Sequence, residues 1–130
     1  MNEFDDIPEL GDDQFWTLIL SAKQGIAALS KNLESLSQVE LIGFAWKFED
    51  LAGFLYDEKY HQNQFSEDYL EVLCDWVVAQ GKEFYERVLN NPDQMPAEVD
   101  YSDPDIDILY EVSNVYYDRF GKEIPPLEGA

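Results

Sequence analysis

The sequence predicts an all-α protein, a single compact bundle of about four to six helices. Apolar residues recur at steps of three and four almost throughout, and no stretch alternates with period two between turn signals. Hydrophobic residues make up 45% of the 130 positions and aromatic residues 15%, enough for a core. A chain of this length suits one domain that buries roughly two-thirds of its unfolded surface. Residues 1–12 are expected to form an acidic, flexible leader, residues 13–121 the helical domain, and residues 122–130 a frayed tail.

The first helix is expected to open at Asp12 or Asp13, where an aspartate can accept from free backbone amides. It runs through Phe15, Ile19, Ala22, Ile26, Leu29 and Leu33, with Gly25 as a candidate interruption. The second helix has the strongest start signal. Ser37 and Glu40 form a capping box, and the stripe Leu41, Phe44, Ala45, Phe48, Leu51, Ala52 and Leu55 follows. Trp46 and Phe54 lie off that stripe, which predicts contact on more than one side of the helix. Ser66 is the expected N-cap of the third helix, with Phe65 stapled against Leu70 and Leu73, Trp76, Val77 and Val78 inside. Gly81 either ends this helix or lies within a longer one reaching Leu89, and Asn90-Asn91-Pro92 stops it. After an acidic, proline-bearing loop over residues 91–103, Asp103-Pro104 opens the last helix. That helix uses Ile106, Leu109, Val112, Val115, Tyr116 and Phe120, and it ends at Gly121.

Charge is the dominant feature of the composition. The chain holds 28 acidic and 8 basic residues, a formal net charge of −20. Its distribution is uneven. Residues 1–13 carry six acids and no base, residues 91–118 carry eight acids and no base, and residues 14–90 set twelve acids against six bases. Such a balance argues against nucleic acid or anionic lipid as a direct partner, because binding a polyanion needs Lys and Arg to displace counterions. Cys74 is the only cysteine, so no intramolecular disulfide can form. The start Met1-Asn2-Glu3-Phe4-Asp5-Asp6 is the opposite of a signal peptide, and no apolar run approaches the length of a membrane span. The expected location is the cytoplasm.

Several short patterns, taken in order, resemble a known family. They are Phe15-Trp16, Leu36-Ser37-x-x-Glu40-Leu41, Ser66-x-Asp68, Trp76-x-x-x-Gln80-Gly81 and Asn91-Pro92-Asp93. Together, over roughly residues 14–120, they resemble the bacterial domain of unknown function 4240 family. The family pattern often has a Gly-Gly-Cys run and an arginine ahead of the tryptophan. Here those places read Gln62-Asn63-Gln64 and Leu73, so no role of that arginine carries over. The resemblance implies a compact helical domain and no particular reaction.

Few residues point to chemistry. Glu58-x-x-His61 has the i, i+3 spacing of carboxylate-bridged di-metal bundles, with Glu49 and Asp50 upstream. Those sites need the motif twice, and His61 is the only histidine, so Glu58 and His61 are weak metal candidates that read as a solvated helix end. Glu67, Asp68, Glu71 and Asp75 share one side of the third helix and read as a solvated face. Cys74, between Leu73 and Trp76-Val77, reads as a small buried hydrophobe rather than a nucleophile. The loop acids offer calcium ligands in number but lack the EF-hand order. No phosphate-cradling glycine loop, nucleophile elbow or Cys-x-x-Cys pair occurs. No cofactor is implied.

The expected function is therefore a noncatalytic binding module. It would present an acidic surface to a basic protein partner, in the manner of immunity proteins or nucleic-acid mimics. The expected surface is Asp93, Glu98, Asp100, Tyr101, Asp103, Asp105, Asp107, Tyr110, Glu111 and Tyr117, because tyrosines among carboxylates suit a protein interface. The alternative is an enzyme or metal-binding domain using buried carboxylates, with or without His61. Its mark would be two or more carboxylates from different helices converging inside a pocket.

Overall fold

The computed structural model describes residues 7–60 and 66–126. Six α-helices appear among them: α1 (Asp12–Ser21), α2 (Ile26–Glu34), α3 (Gln38–Gly53), α4 (Glu67–Ala79), α5 (Lys82–Asn90) and α6 (Ile108–Phe120). No strand occurs among the described residues, so the fold is all-α, and none of their helices is long and apolar enough to cross a membrane.

The helices break at both candidate glycines, and the same backbone geometry breaks both. Gly25 and Gly81 each have φ 111°, a conformation that side chains with a Cβ rarely adopt. Each glycine caps the start of the next helix, so α1 gives way to α2 and α4 to α5 at these points. The last helix differs from expectation. Asp103 caps a 3-10 turn, Pro104–Asp107, by accepting from the Asp105 amide, and α6 proper begins at Ile108. The capping box at α3 forms as read: the Glu40 amide donates to the Ser37 hydroxyl, and the Ser37 amide donates to the Glu40 carboxylate. Ser66 caps α4 by accepting from the Tyr69 amide, whereas Phe65 lies outside the described residues.

Helix α3 is the centre of the bundle. It packs against α4 and α6, while α2 bridges α1 and α6, and α4 packs against α5 and the 104–107 turn. Residues 41–48 of α3 are all buried, which is more than a one-sided stripe would bury. The Phe15 ring of α1 stands against those of Phe44 and Phe48, centred 5.0 Å from the first and 6.4 Å from the second. Phe54, off the stripe, is instead 63% exposed.

The polar tips of buried aromatics find backbone or amide partners, as burial requires. The Tyr85 hydroxyl donates to the Leu51 carbonyl at 2.7 Å, and the Tyr60 hydroxyl to the Leu89 carbonyl at 2.9 Å. Tyr116, fully buried on α6, accepts from the Gln38 amide at 2.9 Å.

Segments on either side of the bundle are held to α3. Leu10 is buried, and its amide donates to the Gly43 carbonyl at 3.4 Å. A Cβ at Gly43 would lie 2.6 Å from the Pro8 carbonyl oxygen, so only glycine admits this strap at its present distance. Lys47, one helical turn on, is buried. Its ammonium donates to the Leu10 carbonyl at 2.9 Å and to the Asp12 carboxylate, and it lies 5.7 Å from the centre of the Phe15 ring. At the other end, Ile124 packs on the core and the Trp46 indole donates to the Pro125 carbonyl at 2.9 Å.

Candidate functional site

The acids of residues 91–118 do not behave alike. Asp103 accepts from the Trp76 indole at 2.9 Å, and Asp105 accepts from Lys23 at 2.8 Å and from the Gln80 amide at 3.0 Å. Both are half-buried, and they tie the 104–107 turn to α4 and to the end of α1. Asp100 closes a local turn by accepting from the Ser102 amide and hydroxyl, which hold its carboxyl below the usual range. Tyr101 is exposed but stands edge-on to Tyr69, whose hydroxyl accepts from the Val99 amide. These four residues hold the loop in shape.

The remaining six differ. Asp93, Glu98 and Asp107 are exposed, and Glu111 is half-buried on α6. Tyr110 is 69% exposed and Tyr117 57%. They stand seven residues apart on one face of α6, about 10 Å along its axis. The opposite face, Ile108, Val112, Val115 and Tyr116, is buried. Thus α6 presents tyrosines and acids outward from a helix whose inner face is fixed by the core.

A second acidic feature lies across α3 and α4. Asp75 does not lie on a solvated face; it is half-buried. Burial, with repulsion from Glu71 and Glu49, pushes its carboxyl up to about 7. Glu49 of α3 is likewise raised by burial and by Glu71 and Asp50. The phenol of Tyr56, in the 3-10 turn after α3, is raised by burial and then by the charges of Asp75, Cys74, Glu71 and Glu49. Cys74 is fully buried, and burial pushes its thiol up to about 12, so it is a thiol at neutral pH and a poor nucleophile. Glu49 also lines a cleft of about 250 Å³ whose other walls include Leu109 and Ser113 of α6 and Ile124 and Pro125 of the tail segment.

The charges of Glu71 on α4 and Glu49 on α3 thus bear on the half-buried Asp75, while Glu49 and Glu71 are themselves exposed and, of the three, only Glu49 lines the cleft. The spacing of Glu71 and Asp75 was visible as one helical side; that this side turns toward Glu49 depends on how α3 and α4 pack. Among the described residues no group of three or more His, Cys, Asp and Glu stands where it could hold a metal ion. Glu58 is exposed in a separate 3-10 turn beyond α3, and His61 lies outside the described residues.

The basic residues show the complementary pattern. Besides Lys23 on Asp105 and Lys47 on the strap, Arg119 donates to the Leu36 carbonyl at 2.6 Å and lies over Phe120. Lys59 lies over Tyr60, and Arg87 faces Glu83 at 3.7 Å and the Phe84 ring. Five of the eight cations are thus turned to the chain's own groups, while Lys31, Lys82 and Lys122 are exposed.

A protein-family model described as "Protein of unknown function (DUF4240)" matches residues 10–119. The chain belongs to this family. In this DUF4240 member the matched region runs from Leu10, whose carbonyl receives the Lys47 ammonium, to Arg119, whose guanidinium reaches the Leu36 carbonyl. It thus takes in both the strap contact and the outward face of α6. No curated protein and no solved structure matches the chain.

Proposed function

We propose that the protein is a noncatalytic binding domain that presents an acidic surface to a basic protein partner, in the manner of immunity proteins or nucleic-acid mimics. One observation carries this reading: Lys23, Lys47, Lys59, Arg87 and Arg119 are engaged with the chain's own groups, while Asp93, Glu98, Asp107 and Asp118 face outward. An uncompensated field of one sign speeds encounter with an oppositely charged partner and repels nucleic acids and acidic proteins. The test is titration of the full chain with a synthetic peptide of mixed lysine and arginine. Affinity should fall at least tenfold between about 50 and about 500 mM salt, as screening shortens the reach of surface charge. Absence of binding, or binding indifferent to salt, would overturn the reading.

A second reading, an enzyme or metal-binding domain using buried carboxylates with or without His61, is supported by Asp75, which is half-buried under the charges of Glu71 and Glu49. A carboxyl raised to about 7, as at Asp75, can hold a proton at neutral pH, the property a general acid needs. For its metal-binding form, a thermal melt with millimolar magnesium, manganese or calcium decides: a raised midpoint supports it, and an unchanged one removes it.

A further inference from the structure

We infer that the outer face of α6 is the contact surface for arginine side chains of the partner, with Tyr110 and Tyr117 as stacking platforms and Asp107, Glu111 and Asp118 as guanidinium acceptors. This rests on the basic-partner reading above and specifies its site and chemistry.

The internal contacts of the acidic segment select this face. Asp103 and Asp105 are bound to Trp76, Gln80 and Lys23, and Asp100 to Ser102, so these carboxylates meet a partner only by giving up bonds within the fold. No such exchange is needed on α6. Tyr110 and Tyr117 are 69% and 57% exposed, although Tyr116, the third tyrosine of the same helix, is fully buried. Asp107 and Asp118 are exposed beside them, and Glu111 and Asn114 are half-buried between. The cation that α6 itself carries, Arg119, is directed away to the Leu36 carbonyl and the Phe120 ring. The Arg119–Phe120 pair, 4.9 Å from guanidinium to ring centre, is a local example of the contact inferred for the partner.

Arginine fits this face better than lysine. A guanidinium is planar, stacks on an aromatic ring, and bonds a carboxylate through two parallel N–H groups at once. An ammonium is a strongly hydrated point charge and gains less from a ring. Tyrosine and carboxylate within one helical turn offer both contacts to one guanidinium, and the stripe repeats the arrangement two turns on.

The experiment compares two synthetic peptides of equal length and net charge, one built on arginine and one on lysine, titrated into the full chain at low salt. The arginine peptide should bind about tenfold more tightly. The double variant Tyr110→Ala/Tyr117→Ala should lose about tenfold in affinity for the arginine peptide and change the lysine peptide little, whereas Phe54→Ala, at an exposed aromatic outside this face, should leave both unchanged. Unaltered circular dichroism and melting midpoint check that the variants fold. Equal affinity for the two peptides, or a double variant that binds the arginine peptide as well as the parent, overturns the assignment of this face and leaves the basic-partner reading standing. If neither peptide binds, that reading falls as well, and the two failures are thereby told apart.

Discussion

Helix α3 draws a lysine into the interior, whereas α6 leaves Tyr110, Tyr117 and Asp118 in solvent. Helix α3 is packed by α4, by α6 and by the strap across Gly43, so side chains on nearly every side of residues 41–48 are enclosed. A cation there is tolerable only with partners, and Lys47 has the Leu10 carbonyl, the Asp12 carboxylate and the Phe15 ring. Helix α6 is packed on one side, by α2, α3 and the 104–107 turn. Its other face makes no demand on the fold, and that freedom leaves it available for a partner. Charge in this protein therefore has two roles: a few groups fasten segments to the bundle, and the excess is displayed.

The contrast can be broken most severely at Lys47. Lys47→Ala removes the donor to Leu10 and the stem packed beside Phe15, and a loss of about 3 kcal/mol in unfolding free energy by denaturant titration is expected. A loss below about 0.5 kcal/mol would mean that the strap is not held by this lysine.

Stability should next depend on pH in the direction opposite to that of paired carboxylates. Asp75 and Glu9 are both raised to about 7, Asp75 by burial and by Glu71 and Glu49, Glu9 by burial and its hydrogen bond and repulsion with Asp50. A carboxyl whose folded pKa exceeds its unfolded value of about 4 stabilises the fold fully below that value and ceases to do so as pH rises through about 7. Thermal midpoints should therefore fall from pH 5 to pH 8, by about 2 kcal/mol equivalent for Asp75. Asp75→Asn should flatten the slope and stabilise the chain at pH 8. A rise in stability over that range would contradict the burial of Asp75 among like charges.

Gly43→Ala should cost about 2 kcal/mol, because a methyl 2.6 Å from the Pro8 carbonyl forces the strap outward. Hydrogen exchange at the Leu10 amide should quicken in the same variant. On the other side of the comparison the effects shrink. Asp105→Asn, which weakens the link to Lys23 and Gln80, should cost about 1 kcal/mol. Tyr110→Ala and Tyr117→Ala should each stay within about 0.5 kcal/mol, as side chains that the fold does not use.

What could be read from the sequence was local. The Ser37–Glu40 capping box and the Ser66 cap depend on residues three apart, and both form. The apolar periodicity gave the helical class and most of the core. Whether Gly25 and Gly81 break their helices turns on backbone angles that spacing leaves open. The site was legible in composition and illegible in detail. That Asp103 and Asp105 turn inward depends on Trp76 and Lys23, which are distant in the chain. The burial of Lys47 depends on a strap crossing at Gly43, and the burial of Asp75 under the charges of Glu71 and Glu49 on the packing of α3 against α4. None of these contacts has a short-range signature, since each is set by which helix faces which.

The salt dependence of binding to the arginine peptide, compared between the parent chain and an Asp107→Asn/Glu111→Gln/Asp118→Asn variant, tests the displayed charge most directly. If the displayed acids bind the peptide, affinity falls steeply with salt in the parent and is weaker with a shallower slope in the variant, at unchanged stability. The same slope and affinity in both would contradict it.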